Sequence, residues 1–100
     1  MNPQFKKGAL ELCVLSLLRD GDRYGYELTD QISNKMMVSA GTLYLILKRL
    51  KDAGYLDTYL VESQSGPARK YYHLTPTGRE YGDELKKEWL DFVEKVGELI

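Results

Sequence analysis

Three features of the 100-residue sequence predict a mainly α-helical domain with one small β-hairpin, an α+β winged helix-turn-helix extended by a long C-terminal helix. The first is a capped amphipathic segment from Ser39 to Gly54. The second is a pair of β-rich runs separated by a turn, between Tyr55 and Leu74. The third is an apolar stripe that continues from Tyr81 to Ile100. One hundred residues make one core, small enough that a partner would add stability.

Residues 5–19 read as a first helix with apolar residues on two sides. Leu10, Cys13, Val14, Leu17 and Leu18 line one side, while Phe5, Leu12 and Leu15 lie roughly opposite. A surface helix needs only one apolar stripe, so the second predicts that something docks there. Cys13 lies within the first stripe and reads as a small core residue. A redox-sensing thiol would need a neighbouring cation, and none is placed for it.

Asp20-Gly21-Asp22 ends this helix as a turn. Arg23-Tyr24-Gly25-Tyr26 leads into a short second helix reaching about Asn34, with Leu28 and Ile32 inward at i and i+4. Tyr24 and Tyr26 have two readings: half-buried aromatics closing the domain, or hydroxyls that reach phosphates. Residues 35–38 form a short link to the next helix.

In that third helix Ser39 is the N-cap, its hydroxyl accepting from a first-turn N–H, and Gly54 is the residue just past the end. Leu43, Ile46, Leu47 and Leu50 form the inward face. The opposite face carries Gly41, Tyr44, Leu45, Lys48 and Asp52, with Arg49 at its border. A small residue, an aromatic hydroxyl and two cations suit contact with a polyanion. Two helices joined by a tight link, the second polar outside, make a helix-turn-helix pattern, in which the second helix enters a DNA groove.

Tyr55 to Ser63 is rich in β-formers, Gln64-Ser65-Gly66-Pro67 reads as a turn, and Arg69 to Leu74 as the returning strand. A hairpin directly after a helix-turn-helix is a wing. Arg69 and Lys70 beside its glycine-bearing tip suit phosphate contact or minor-groove insertion. Thr75 then caps a last helix with Pro76 at its first position, and Glu80, Asp83 and Glu84 favour its positive end. Tyr81, Leu85, Trp89, Phe92, Val93, Val96 and Ile100 fall on one stripe that runs past the winged domain. Matching it with the second stripe of the first helix, Phe5 and Leu12 included, across a twofold axis predicts a homodimer. Residues 1–75 are thus expected to form the DNA-binding unit and 76–100 the dimerisation helix.

The formal net charge of −1 does not by itself mark a nucleic-acid binder. The distribution is uneven, however: residues 36–75 carry +2, and residues 76–100 carry −3. Local field decides whether phosphate is attracted. One histidine, His73, and one cysteine give neither a metal site nor a nucleophile–base pair, so no cofactor, no metal and no enzymatic activity is expected. The lone cysteine cannot form an internal disulfide, and no signal peptide or membrane-length apolar run is recognised, which predicts a cytoplasmic protein that does not contact a membrane.

Several motifs in this order resemble the PadR family of bacterial transcriptional repressors. They are Lys7-Gly8-Ala9-Leu10-Glu11-Leu12, Tyr24-Gly25-Tyr26-Glu27-Leu28, Gly41-Thr42-Leu43-Tyr44, Leu47-Lys48-Arg49-Leu50, and Arg69-Lys70-Tyr71-Tyr72-His73-Leu74-Thr75 with Gly78. With one helix after the wing, the chain is similar to the short subgroup that includes multidrug-responsive repressors. The resemblance implies a dimer that binds a palindromic operator in double-stranded DNA and releases it when a planar aromatic ligand binds. Ser39, Thr42, Tyr44, Leu45 and Lys48 are then the residues expected at the groove, with Arg69 and Lys70 at the wing and Tyr24 and Tyr26 at phosphates. Trp89, matched by its distance from Gly78, either packs the dimer alone or also stacks on ligand, together with Phe92, Leu12 and Leu15. Two positions depart from the family: Leu45 stands where proline is usual, and Pro67-Ala68 follow Gly66 where an arginine is usual. A leucine at the groove is suited to a thymine methyl. A winged-helix protein-interaction module, or a DNA-binding repressor with no effector, are the alternatives.

Overall fold

The computed structural model describes residues 3–100, with side chains from Lys6 onward. Helix α1 spans Pro3–Arg19, strand β1 Arg23–Tyr24, helix α2 Gly25–Met36 and helix α3 Ala40–Asp52. Strand β2 (Leu56–Ser63), strand β3 (Gly66–Leu74) and helix α4 (Pro76–Leu99) complete the chain. The three strands form one antiparallel sheet in the order β1-β3-β2. This is a winged helix-turn-helix with a long C-terminal helix.

The core is built where the helical and strand periods meet. Leu10, Val14, Leu15 and Leu18 of α1 pack with Leu28 and Ile32 of α2 and with Leu43, Ile46, Leu47 and Leu50 of α3. Leu56, Tyr72 and Leu74 close it from the sheet. The four inward residues of α3 are those expected from its spacing.

Several boundaries and one element differ from the sequence expectation. Helix α2 runs on to Met36, and Met37 caps it in the left-handed region at φ 52°, its N–H bonded to Ser33 O at 3.0 Å. Strand β3 starts at Gly66, so the turn shrinks to Gln64 and Ser65. Pro67 is tolerated there because the register is irregular between Val61 and Ser63, where no ladder donor is required of it. Strand β1 was not expected: its two residues pair with β3, Arg23 opposite Tyr72 and Tyr24 opposite Tyr71. It adds a third strand to the expected hairpin.

Helix α4 is seated by contacts at its start. Thr75 Oγ1 accepts from Gly78 N at 2.9 Å and donates to Gly54 O at 2.8 Å, while Thr75 N donates to Tyr55 O at 3.1 Å. Gly78 presses directly on the Tyr55 carbonyl; a Cβ there would lie 2.0 Å from that oxygen. Gly54 takes φ +86°, which lets the chain turn from α3 into β2.

The expectation that Leu15 lies on an uncovered stripe is corrected by this packing. Helix α4 crosses α1 there, and Leu15, 1% exposed, lies against Gly82, whose missing side chain permits the approach. Tyr81 and Leu85 are likewise taken up by the chain's own core: Tyr81 stacks on Tyr55 with ring centroids 4.2 Å apart, and Leu85 packs against the core cluster. In the single chain these two residues are therefore half-buried, and Leu85 also borders the space between α1 and α4. Phe5, also expected at the dimer, lies outside the residues whose side chains are described.

Candidate nucleic-acid interface

The outward face of α3 follows from the same helical period that buries its leucines. Tyr44 and Leu45 are 42% and 70% exposed, and Ser39, Gly41, Thr42 and Lys48 are exposed beside them. Ser39 Oγ accepts from Thr42 N at 3.2 Å, and the two hydroxyls share a hydrogen bond at 2.9 Å. The two expected groove residues at the helix start thus form its cap. Tyr44 lies on the edge toward the sheet, where its hydroxyl adds to the burial that pushes the Tyr72 phenol above its ordinary pKa.

Two of the three cations of this helix, Lys48 and Arg49, carry carboxylate partners, while Lys51 is exposed in the last turn. Lys48 Nζ donates to Asp52 at 2.9 Å, an i,i+4 pair that holds the ammonium pKa above its usual range. Arg49 donates to Glu11 of α1 at 2.5 Å, and the Tyr81 hydroxyl donates to the other oxygen of Glu11 at 3.3 Å. One carboxylate therefore joins α1, α3 and α4. The Tyr81 phenol is raised by its burial first and by the Glu11 charge second.

The outer face of the sheet is a ladder of tyrosines. Tyr26 neighbours Tyr24 at 6.1 Å, Tyr24 neighbours Tyr71 at 5.9 Å, and Tyr71 stacks on Tyr59 at 5.7 Å between centroids. The Arg69 guanidinium sits 5.1 Å from the centre of the Tyr24 ring, a cation–π contact that holds one wing cation near the start of α2. Of the two tyrosines with a double reading, Tyr24 takes a structural place in this ladder, and Tyr26, 62% exposed, presents its ring to solvent. Lys70 is exposed on β3.

His73, to which no role was attached, is tied to the turn after α1. Its Nδ1 donates to Asp22 at 2.7 Å, and the Tyr59 hydroxyl donates to the second oxygen of the same carboxylate at 2.7 Å. The Tyr59 bond first, then the His73 bond, hold the Asp22 carboxyl below its usual pKa, and the same bond raises the Tyr59 phenol. The partners lie 37 and 51 residues from Asp22, so no local motif signals them.

A second surface lies between α1 and α4. A groove of about 240 Å³ is lined by Gly8, Ala9, Leu12, Leu85, Trp89 and Phe92, with Glu88 at its edge. Trp89 and Phe92 face each other at 6.5 Å and 43°. Leu12 lines this groove as expected, but Leu15 does not, because Gly82 covers it. Glu88 was not anticipated. Beyond the groove, Phe92 is 50% exposed, Val93 and Ile100 are exposed, and Val96 is half-buried. Among the described residues no group of histidine, cysteine or acidic side chains could hold a metal ion, and burial pushes the Cys13 thiol up, away from a reactive thiolate. Among the described residues no helix is long and apolar enough to cross a membrane.

A helix-turn-helix with a polar second helix and a basic hairpin beside it defines the winged-helix class of DNA-binding regulators. The profile of the PadR-like family of transcriptional regulators matches residues 14–84. An uncharacterised protein of Lysinibacillus sphaericus is 36% identical over 94 residues, covering 90% of this chain and 86% of its own length. The structure of a PadR-like transcriptional regulator from Bacillus cereus superposes with a TM-score of 0.84 at 36% identity, over 96% of this chain and 95% of that one. A Streptococcus transcriptional regulator gives 0.87 at 32% identity over 98% of both chains. The chain belongs to the PadR-like family of transcriptional regulators, and it is a regulator, not an enzyme.

Proposed function

We propose that this protein is a homodimeric repressor that grips a palindromic operator with α3 and the wing, and that a planar aromatic ligand between α1 and α4 releases it. The observation that carries this reading is the chain of contacts from the groove to α3. The groove walls are α1 and α4, and Glu11 of α1 bonds both Tyr81 of α4 and Arg49 of α3. A ligand that alters the α1–α4 packing therefore has a route to the orientation of α3. Ser39, Thr42, Tyr44, Leu45 and Lys48 are the proposed groove residues, with Arg69 and Lys70 on the wing and Tyr24 and Tyr26 beside it.

Trp89, Phe92, Val93, Val96 and Ile100 supply the proposed dimer surface, with residues 1–75 as the DNA-binding unit and α4 as the dimerisation helix. Exposed apolar side chains on one helix of this length suit burial against a second copy. Trp89, Phe92 and Leu12 are the proposed ligand contacts, and a chain that acts on DNA is placed in the cytoplasm.

Selection of bound fragments from the source genome, followed by titration, tests the reading. A palindrome with half-sites about 34–36 Å apart, or a multiple of this, is expected for a twofold dimer reading adjacent turns. A planar aromatic dye should quench Trp89, the only tryptophan, and weaken operator binding over the same concentration range. Quenching with operator affinity intact would remove the regulatory part and leave a repressor without this effector. The pairing of Lys48 and Arg49 with carboxylates favours a second reading, a protein-interaction module. Absence of salt-sensitive duplex retention would select it.

A further inference from the structure

Of the three cations on α3, Lys48 is paired with Asp52 and Arg49 with Glu11, and only Lys51, exposed in the last turn, has no ion pair among the described residues, so much of the field that draws in phosphate must come from the helix's surroundings. The wing supplies one flank through Arg69 and Lys70. On the other flank, a shallow groove of about 350 Å³ runs between the start of α1 and α3. Its α3 wall is Thr42, Leu45, Ile46 and Arg49, and its α1 wall carries Lys6 and Lys7.

At 100° per residue, Thr42 and Arg49 mark the edge of α3 toward α1, Leu45 and Lys48 its outward centre, and Tyr44 the edge toward β3. The two lysines and the wing therefore stand on opposite sides of the same exposed face. Lys6 is half-buried and Lys7 is exposed. Among the described residues, neither lysine is in an ion pair with a carboxylate. Lysine is a compact charge on a flexible stem, suited to backbone phosphate and poor at reading a fixed base pattern.

We propose that Lys6 and Lys7 form a second phosphate clamp, so that a duplex seated on α3 is held between α1 on one flank and the wing on the other. The clamp rests on the reading of α3 as the groove helix. It assigns to α1 a direct part in DNA binding besides its place in the core, and it explains how a chain of net charge −1 attracts a polyanion.

The test is a salt titration of duplex affinity for the full chain, using both the genome-selected operator and a mixed-sequence duplex. Each phosphate contact contributes about 0.9 to the slope of log K against log salt. The double variant Lys6→Ala/Lys7→Ala should lower the slope by about 1.8 per subunit and weaken both duplexes by a similar factor. Lys86→Ala/Lys87→Ala on α4 should leave slope and affinity as they are. A thermal melt of each variant, with Lys6→Gln/Lys7→Gln as a second form, separates lost contacts from lost folding. An unchanged slope in folded variants of a wild type that binds duplex overturns the clamp and leaves the α3 reading standing. A loss confined to the selected operator overturns the backbone assignment. A wild type without salt-sensitive duplex binding overturns the α3 reading and the clamp with it.

Discussion

Gly78 lies where α4 leaves the winged domain, and Gly78→Ala tests whether the start of that helix is as tightly seated as its contacts indicate. The added methyl would sit 2.0 Å from the Tyr55 carbonyl oxygen and 2.9 Å from Leu74 Cδ1. Neither side can yield cheaply, since one neighbour is backbone and the other is a core residue. Overpacking of this kind costs about 3 kcal/mol. Displacing the helix also lengthens the bond from Thr75 N to Tyr55 O, now 3.1 Å, worth about 1 kcal/mol. Alanine returns about 1 kcal/mol through its higher helix propensity. The net loss is about 3 kcal/mol, and an unfolding entropy of about 0.2 kcal/mol/K for a chain of this size converts it to a fall in Tm of about 14 °C. Gly97→Ala is the matched control, because nothing lies within 4 Å of its Cβ position. It should gain about 1 kcal/mol and raise Tm by about 5 °C. Thermal melts by far-UV circular dichroism, at one fixed protomer concentration, measure both. A Gly78→Ala protein melting within a few degrees of wild type would refute the close seating of α4 on the α3–β2 turn.

Further outcomes follow from the carboxylates Asp52 and Asp22. Asp52→Asn releases Lys48 and removes a carboxylate from the groove-facing side, so duplex affinity should rise about 1.5- to 5-fold, the range of an exposed pair; Lys48→Ala should lower it and reduce the salt slope by about 0.9. Equal affinity for wild type and Asp52→Asn in a fluorescence-anisotropy titration would show that this pair does not restrain Lys48. Asp22 has a folded pKa below its unfolded value, so its contribution to stability is present above about pH 4 and is lost as pH falls through that lowered pKa. Asp22→Asn should therefore melt below wild type at neutral pH, with the gap closing on acidification. A gap independent of pH would mean that the hydrogen bonds of Asp22, and not its charge, carry the effect.

Much of the fold is legible in the sequence because its signals are local. Ser39 caps α3 through a bond three residues away, its leucines recur at one helical period, and Thr75-Pro76 starts α4 through a similar cap. The exposed face of α3 follows from the same period, as does its Lys48–Asp52 pair, separated by one turn. The motifs that resemble the family likewise lie in short runs.

Contacts between distant segments could be decided only by the tertiary structure. Arg23 and Tyr24 become a strand because β3 offers a free edge, not because two residues have a pattern of their own. Leu15 reads as outward along α1, yet Gly82 lets α4 lie over it. Tyr81 reads as one position on a long stripe, yet the docking of Thr75 and Gly78 on the α3–β2 turn brings it onto Tyr55 and Glu11. The Asp22, Tyr59 and His73 cluster and the groove between Lys6, Lys7 and α3 have the same origin. By itself the sequence determined the helices, the wing and the face that α3 turns to solvent, because period and caps act within a few residues. Which charges are neutralised, which apolar positions stay exposed and which cations flank α3 was decided by tertiary packing, since charge and burial depend on neighbours that the chain brings together only when folded.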